Sequence, residues 1–243
     1  MKRPLKTLIW LTVFSIAMGY LESAVVVYLR AIMYPDGFGF PLTSFDSHLA
    51  TTEIIREAAT IIMLLGAGIV AGKTFSERFA WFIYCFAIWD IFYYVFLKVL
   101  ISWPESFMTW DILFLIPATW VGPVITPVIV SLTMIILAMV IIFYGSRKNI
   151  HVSLIEWISF IVGAHILILA FIWDYSRFIL DRYSLGEIWR MPDTRPLRQL
   201  GLQYIPHSFN WLLFWIGEII IIAGIVMLFI RIRKNIKVRK LKI

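Results

Sequence analysis

The chain has 243 residues, of which 61% are hydrophobic and only 15% are charged, and its mean hydropathy is +0.86. Soluble domains are nearer half apolar and a quarter charged, so this composition favours an integral membrane protein. The formal net charge of +7 does not indicate a nucleic-acid partner, because much of it lies in the tail at 231–243, directly after an apolar segment. The single cysteine, Cys85, excludes an intramolecular disulfide.

Six segments are long and apolar enough to cross a bilayer, which requires about 20 residues in a helix. They predict an all-α, polytopic membrane bundle of six transmembrane helices that forms a single domain, followed by the basic tail. No small-residue cleavage pattern follows the first segment, so we expect it to remain as a span. The predicted spans are Thr7–Leu29, Glu53–Gly72, Phe79–Ile101, Val121–Tyr144, Val152–Trp173 and Ser208–Ile230.

The distribution of basic residues predicts the orientation. They are concentrated near both termini and in two short connections, Lys73–Arg78 and Gly145–His151, the second of which carries Arg147 and Lys148. The positive-inside rule therefore predicts a plasma-membrane protein with both termini in the cytoplasm. The three long connections then lie outside, where functional surface is more often found; they are Arg30–Thr52, Ser102–Trp120 and Asp174–His207.

The middle outer connection has features of a helix start. Pro104 and Glu105 suit the first turn of a helix, and the following apolar run ends at Pro117, which makes it too short to span. We therefore expect a short interfacial or re-entrant helix at the outer surface. Pro123 and Pro127 are expected in the first turns of the fourth span.

Two acidic residues fall near the middle of apolar segments. Asp90, in the stretch FAIWDIFYYVF, lies about 16 Å below the outer end of its span, and Glu218 lies about 15 Å deep in the sixth span. An acid at that depth costs roughly 2.5–3.5 kcal/mol to insert, so each needs a partner or a proton. Tyr94, one turn from Asp90, is a candidate hydrogen-bond partner for it. The other two Trp-Asp pairs place Asp111 and Asp174 near the outer surface.

A second polar group lies closer to the outer surface. Glu22 belongs to a polar face of the first span, and Arg56 and Glu57 share a face of the second. Arg56 is the expected counter-ion of Glu22 or Glu57. We predict an outward-facing polar pocket formed by Glu22, Arg56, Glu57, Asp90, Tyr94 and Glu218.

Arginines are concentrated in the last outer connection. Arg177, Arg182 and Arg190 are candidates for binding an anionic group, because a guanidinium pairs well with phosphate or carboxylate. Acidic residues in the same connection, such as Asp181, leave it nearly neutral. An amphipathic interfacial segment with internal ion pairs is therefore the alternative interpretation.

Several segments resemble a known family. The stretches WDIFYYVFLKVL, WPESFMTWDILFLIP and WVGPVITPV, together with REAAT at Arg56–Thr60, resemble segments of a family of uncharacterised multi-pass prokaryotic membrane proteins. The likeness covers roughly the third span to the fourth. It implies a membrane location and no particular chemistry.

Three functions are compatible with these features. The first is binding or translocation of a small substrate or a proton through the polar pocket, in contact with the lipid bilayer. The second is an enzyme acting on a lipid-like substrate at the outer leaflet, with the acids as general acid and base and the loop arginines on a headgroup phosphate. The third is a partner subunit whose polar residues only hold helices together. No metal, haem, phosphate-loop or dinucleotide motif occurs, so no cofactor or metal is predicted.

Overall fold

The computed structural model describes residues 2–35, 37–43, 47–116, 118–145, 151–192 and 195–240. Six of its helices are long and apolar enough to cross a membrane, and the predicted all-α bundle of six spans is confirmed. The spanning helices are α1 (Lys2–Met33), α2 (Ser47–Ala71), α3 (Phe75–Ile101), α4 (Ile125–Val140), α5 (Leu154–Leu180) and α8 (Trp211–Lys240). The other described elements are a π-helical segment that extends α4 (Ile141–Gly145), the short helices α6 (Leu185–Arg190) and α7 (Arg195–Gly201), and the strands β1 (Trp110–Phe114) and β2 (Trp120–Pro123).

Several helices extend beyond the predicted spans. α1 continues past Leu29, α2 begins before Glu53, and α5 continues past Trp173. Hydropathy detects only the apolar part of a helix, whereas polar turns at its ends retain helical hydrogen bonds in water. The basic stretch that follows the sixth span is helical as far as Lys240.

An even number of spans places both termini at one end of the bundle, which we call the termini end. The strands, α6 and α7 lie at the opposite end, which we call the hairpin end. The location of the hairpin end outside the cell stays a prediction. Arg147 and Lys148, which contributed to that prediction, lie outside the described residues.

α3 is the central helix of the first four spans, since α1, α2 and α4 all pack against it. Its start is fixed by Thr74, whose side chain accepts a hydrogen bond from the backbone N–H of Glu77 at 3.2 Å. Near that turn α2 lies with its backbone against α3, because a Cβ added to Gly68 would come within 2.7 Å of the Phe82 nitrogen. A small residue at position 68 therefore lets the backbones of α2 and α3 approach closely.

The last two spans form a separate helix pair. α5 and α8 cross where Gly163 and Gly217 meet, and a Cβ on Gly217 would lie 2.9 Å from the Gly163 oxygen. α4 lies between this pair and α3, and it contacts both. The first three spans are therefore the ones that can enclose a space of their own.

The predicted short helix before Pro117 is wrong, because that segment forms the first strand of a hairpin. β1 pairs with β2 antiparallel, with Asp111 opposite Gly122 and an irregularity between Ile112 and Phe114. Trp, Ile and Phe favour strands, and the pairing of the two short strands supplies backbone hydrogen bonds that an isolated short helix would not keep. Consequently α4 starts at Ile125, and Pro123 ends β2 instead of lying within the fourth span.

Candidate functional site

A cavity of about 350 Å³ lies at the hairpin end, between α1, α2, α3 and β1. Its size is in the range of small-molecule sites. Residues from the segment after α1, from the end of α7, from α5 (Tyr175) and from the turn before β2 (Thr119) complete its lining among the described residues. Eight of these lining residues are acids or arginines, namely Glu22, Glu53, Glu57, Asp90, Asp111, Arg30, Arg56 and Arg198.

Arg56 joins α2 to α1. Its Nη1 donates a hydrogen bond to Glu22, and its Nε donates to Glu53 Oε2 at 2.8 Å. Thr60 Oγ1 adds a long hydrogen bond of 3.4 Å to Glu22 Oε2. Arg56 is thus the counter-ion of Glu22, one of the two partners expected from the sequence, and its other partner is Glu53. The two acids share this one guanidinium, so each has a cationic partner but the three groups together carry one negative charge when ionised.

Arg30 forms a second ion pair near the hairpin. Its guanidinium lies 3.8 Å from the ring centre of Trp103 and 4.2 Å from that of Phe38, and its Nη2 is 3.3 Å from Asp111 Oδ1. Stacking on two aromatic rings and an ion pair together stabilise a cation that is almost fully buried. The Arg30–Asp111 pair therefore holds β1 against α1.

Asp111 lies in β1 at the hairpin end but is buried there, and only 1% of it is exposed. Its Oδ2 accepts a hydrogen bond from the Tyr94 hydroxyl at 3.2 Å. The expected bond from Tyr94 to Asp90 is therefore wrong. Burial raises the pKa of Asp111 to about 6, although Arg30 and the Tyr94 hydroxyl favour its charged form.

Asp90 and Glu57 have neutral partners. Ser131 Oγ of α4 donates to Asp90 Oδ2 at 2.8 Å, and the backbone N–H of Leu115 donates to Glu57 Oε2 at 3.0 Å. Among the residues that the structure describes, no lysine or arginine forms an ion pair with either carboxyl. These two are therefore the cavity acids that the described part of the protein leaves without a direct counter-ion.

Glu218 does not line the cavity, so its predicted place in the pocket is wrong. It is fully buried in α8, where Thr133 Oγ1 of α4 donates to its Oε2 at 2.9 Å. Asp90 is held by Ser131, two residues from Thr133 on the same helix. Residues two apart point to different sides of a helix, so α4 separates the two acids.

The three loop arginines singled out in the sequence lie away from the cavity. Arg177 is in the last turn of α5, Arg182 follows that helix, and Arg190 ends α6; all three are exposed and none lines the cavity. The arginine of this connection that does line it is Arg198, on α7. The lipid-enzyme hypothesis required loop arginines beside the acids, and the three candidates do not meet that requirement.

Sequence reasoning missed four charged lining residues: Arg30, Glu53, Asp111 and Arg198. A signal existed for Asp111, because Trp110–Phe114 is rich in strand-forming residues and a strand within a bundle would be buried. A signal existed for Glu53 as well, because it lies three residues before Arg56 on the same helix face.

Within the described ranges, no three histidine, cysteine, aspartate or glutamate side chains are grouped to hold a metal ion. Comparison with protein-family models, curated proteins and solved structures found no match to this chain. The site is therefore interpreted from its own geometry, and the family resemblance of the sequence stays a prediction.

Proposed function

We propose that the protein binds a small organic cation in the cavity, with Asp90 and Glu57 receiving the positive charge. The contrast among the five cavity acids carries this proposal. Glu22, Glu53 and Asp111 each have an arginine partner, whereas the described contacts of Asp90 and Glu57 are neutral hydrogen bonds. A carboxylate without a counter-ion is costly in a membrane interior, and a cationic ligand would offset that cost.

The aromatic lining supports a cation over a neutral ligand. Trp89, Tyr93 and Tyr94 of α3 line the cavity on the same side as Asp90. Aromatic faces attract a desolvated cation by about 2 kcal/mol or more when it lies over the ring. A proton can also satisfy an isolated carboxyl, so protons and the ligand should compete, and binding should weaken at low pH.

The proposal concerns binding and not transport. Between Asp90 and the termini end, α1, α2 and α3 contribute to one core of buried side chains, which includes Leu64, Trp81, Tyr84 and Cys85. Passage across the membrane would need a second conformation in which this core opens. Binding needs only the cavity as it stands.

Isothermal titration of the protein in nanodiscs with tetramethylammonium, butylammonium and phenethylammonium tests the proposal. We expect at least one of these cations to bind, and Asp90→Asn to weaken binding about 10- to 100-fold, since a charged hydrogen bond contributes about 1.5–3 kcal/mol. The matched control is Glu218→Gln, which removes a buried acid outside the cavity and should leave affinity unchanged. Absence of binding to the wild type, or equal binding to Asp90→Asn, would refute the proposal.

A further inference from the structure

We infer that the ligand is an amphipathic cation that enters the cavity sideways from the membrane, between α1 and α2. This inference rests on the proposed function, because it requires a cationic head group to reach Asp90. It adds that an apolar chain lies in the gap between the two helices, beside the lipid chains of the leaflet at the hairpin end.

The first support is the poor packing of α1 against α2. Both helices pack along α3, yet they scarcely touch each other. The described side-chain hydrogen bonds between them run from Arg56 and Thr60 to Glu22. On the hairpin side of these bonds, both helices line the cavity. We place the opening toward the membrane at this poorly packed part of the cavity wall, between α1 and α2.

The second support is the apolar character of both edges of this opening. On α1 the lining residues Val26, Leu29 and Met33 follow helical spacing and share one face, and on α2 Ala50 and Ile54 also line the cavity. Ile54 keeps 44% of its surface exposed, which places it at the edge of the gap. An alkyl chain would meet carbon atoms on both sides, so it could move from the lipid into the gap at little cost in free energy.

The third support is the construction of the cavity roof at the hairpin end. Arg30 is stacked between Phe38 and Trp103 and paired with Asp111, which ties α1, the segment after it and β1 together. A ligand arriving from water beside α1 and β1 would have to pass this network. A ligand arriving between α1 and α2 would leave it intact and would already have its head group at the depth of the acids.

Photolabelling tests the route of entry. The probe is dodecylamine with a diazirine near the end of its chain, added to the protein in nanodiscs, with butylamine as the short soluble amine. We expect adducts to concentrate on the α1 and α2 residues that line the gap, and to fall at least fivefold in Asp90→Asn or with excess butylamine. Adducts spread over the outer faces of all six spans, with no dependence on Asp90, would overturn the inference.

A matched pair of substitutions separates this inference from the proposed function. Ile54→Trp should narrow the gap and weaken dodecylamine binding at least tenfold more than it weakens butylamine binding. Ile62→Trp, on an exposed position of α2 that does not line the cavity, should change neither. If butylamine binds through Asp90 but Ile54→Trp has no effect on dodecylamine, sideways entry is refuted and the proposed function stands. If neither amine binds the wild type, both are refuted.

Discussion

Arg30 of α1 and Asp111 of β1 form a buried ion pair, with 3.3 Å between nitrogen and oxygen, although 81 positions separate them in the chain. Asp111 also accepts a hydrogen bond from the hydroxyl of Tyr94, so the pair connects α1, α3 and the hairpin. A buried pair is expensive to break, because removal of one partner leaves the other charge uncompensated. This relationship fixes the roof of the cavity.

Replacement of Arg30 by Met should therefore destabilise the protein. At pH 8, where Asp111 is ionised, we expect the free energy of unfolding to fall by about 3–5 kcal/mol. The loss should be smaller at pH 5, because Asp111 can then take up a proton. Denaturant unfolding in detergent measures both values. Arg177→Met, at an exposed position, should change stability by less than about 0.5 kcal/mol. Equal effects of the two substitutions would contradict a structural role for the pair.

The titration of Asp111 predicts a specific pH dependence. Its folded pKa of about 6 lies above the ordinary value of 3.8, because burial penalises the charged form. Between these values the folded protein retains a proton that the unfolded chain has released, so the contribution of Asp111 to stability falls as pH rises through this window. Relative to Asp111→Asn, the free energy of unfolding of the wild type should fall from about pH 4 to about pH 6. Above that pH the difference between the two proteins should stay constant. A stability difference between the two proteins that is constant from pH 4 to 7, or that shifts in favour of the wild type as pH rises, would contradict the raised pKa of Asp111.

The contact of α2 with α3 predicts opposite outcomes at two nearby glycines. A Cβ at Gly68 would lie 2.7 Å from the Phe82 nitrogen and 2.8 Å from the Arg78 oxygen, whereas nothing lies within 4 Å of one at Gly66. Gly68→Ala should lower the free energy of unfolding by about 1–3 kcal/mol, which is the usual effect of overpacking. Gly66→Ala should be neutral or stabilise by up to about 1 kcal/mol, because alanine favours helix. Thermal unfolding of the two variants checks this, and similar melting temperatures would refute the close approach.

Glu57 should have two separable roles. Its carboxylate accepts the backbone N–H of Leu115, next to β1. Glu57→Gln retains an acceptor for that N–H but loses the charge, so we expect weaker cation binding with an unchanged hairpin. Glu57→Leu leaves the N–H without this acceptor and should increase hydrogen exchange at Leu115 and the end of β1. Faster exchange in both variants, or in neither, would argue against the hydrogen bond.

The six spans were accessible from the sequence because crossing a bilayer imposes a length and an apolar composition on each helix. The depth of Asp90 and Glu218 followed from helix rise alone. Whether the two acids face each other could not be predicted, because the face that each helix turns toward the bundle interior depends on packing across α4. Ser131 and Thr133 separate the two acids, and no pattern within α3 or α8 alone indicates this.

The hairpin shows why the remainder of the site was missed. The run around Asp111 is short and apolar, and periodicity cannot distinguish a strand from a helix in such a segment. Its strand conformation depends on pairing with Trp120–Pro123, and its burial depends on Arg30 at the end of α1. The ion pairs of Arg56 were easier to predict from the sequence. Glu53 lies one turn away on the same helix, and Glu22 is an acid of α1 that was expected at a similar depth.

Native mass spectrometry of the wild type beside Asp90→Asn, each released from detergent in the presence of phenethylammonium and tetramethylammonium, tests the central claim most directly. The account predicts a one-to-one cation adduct on the wild type and on Glu218→Gln that disappears in Asp90→Asn. A bare wild-type chain, or an adduct that persists in Asp90→Asn, would contradict a cation site at this carboxyl. A protein chain retained in place of the cation would favour a partner-subunit role instead.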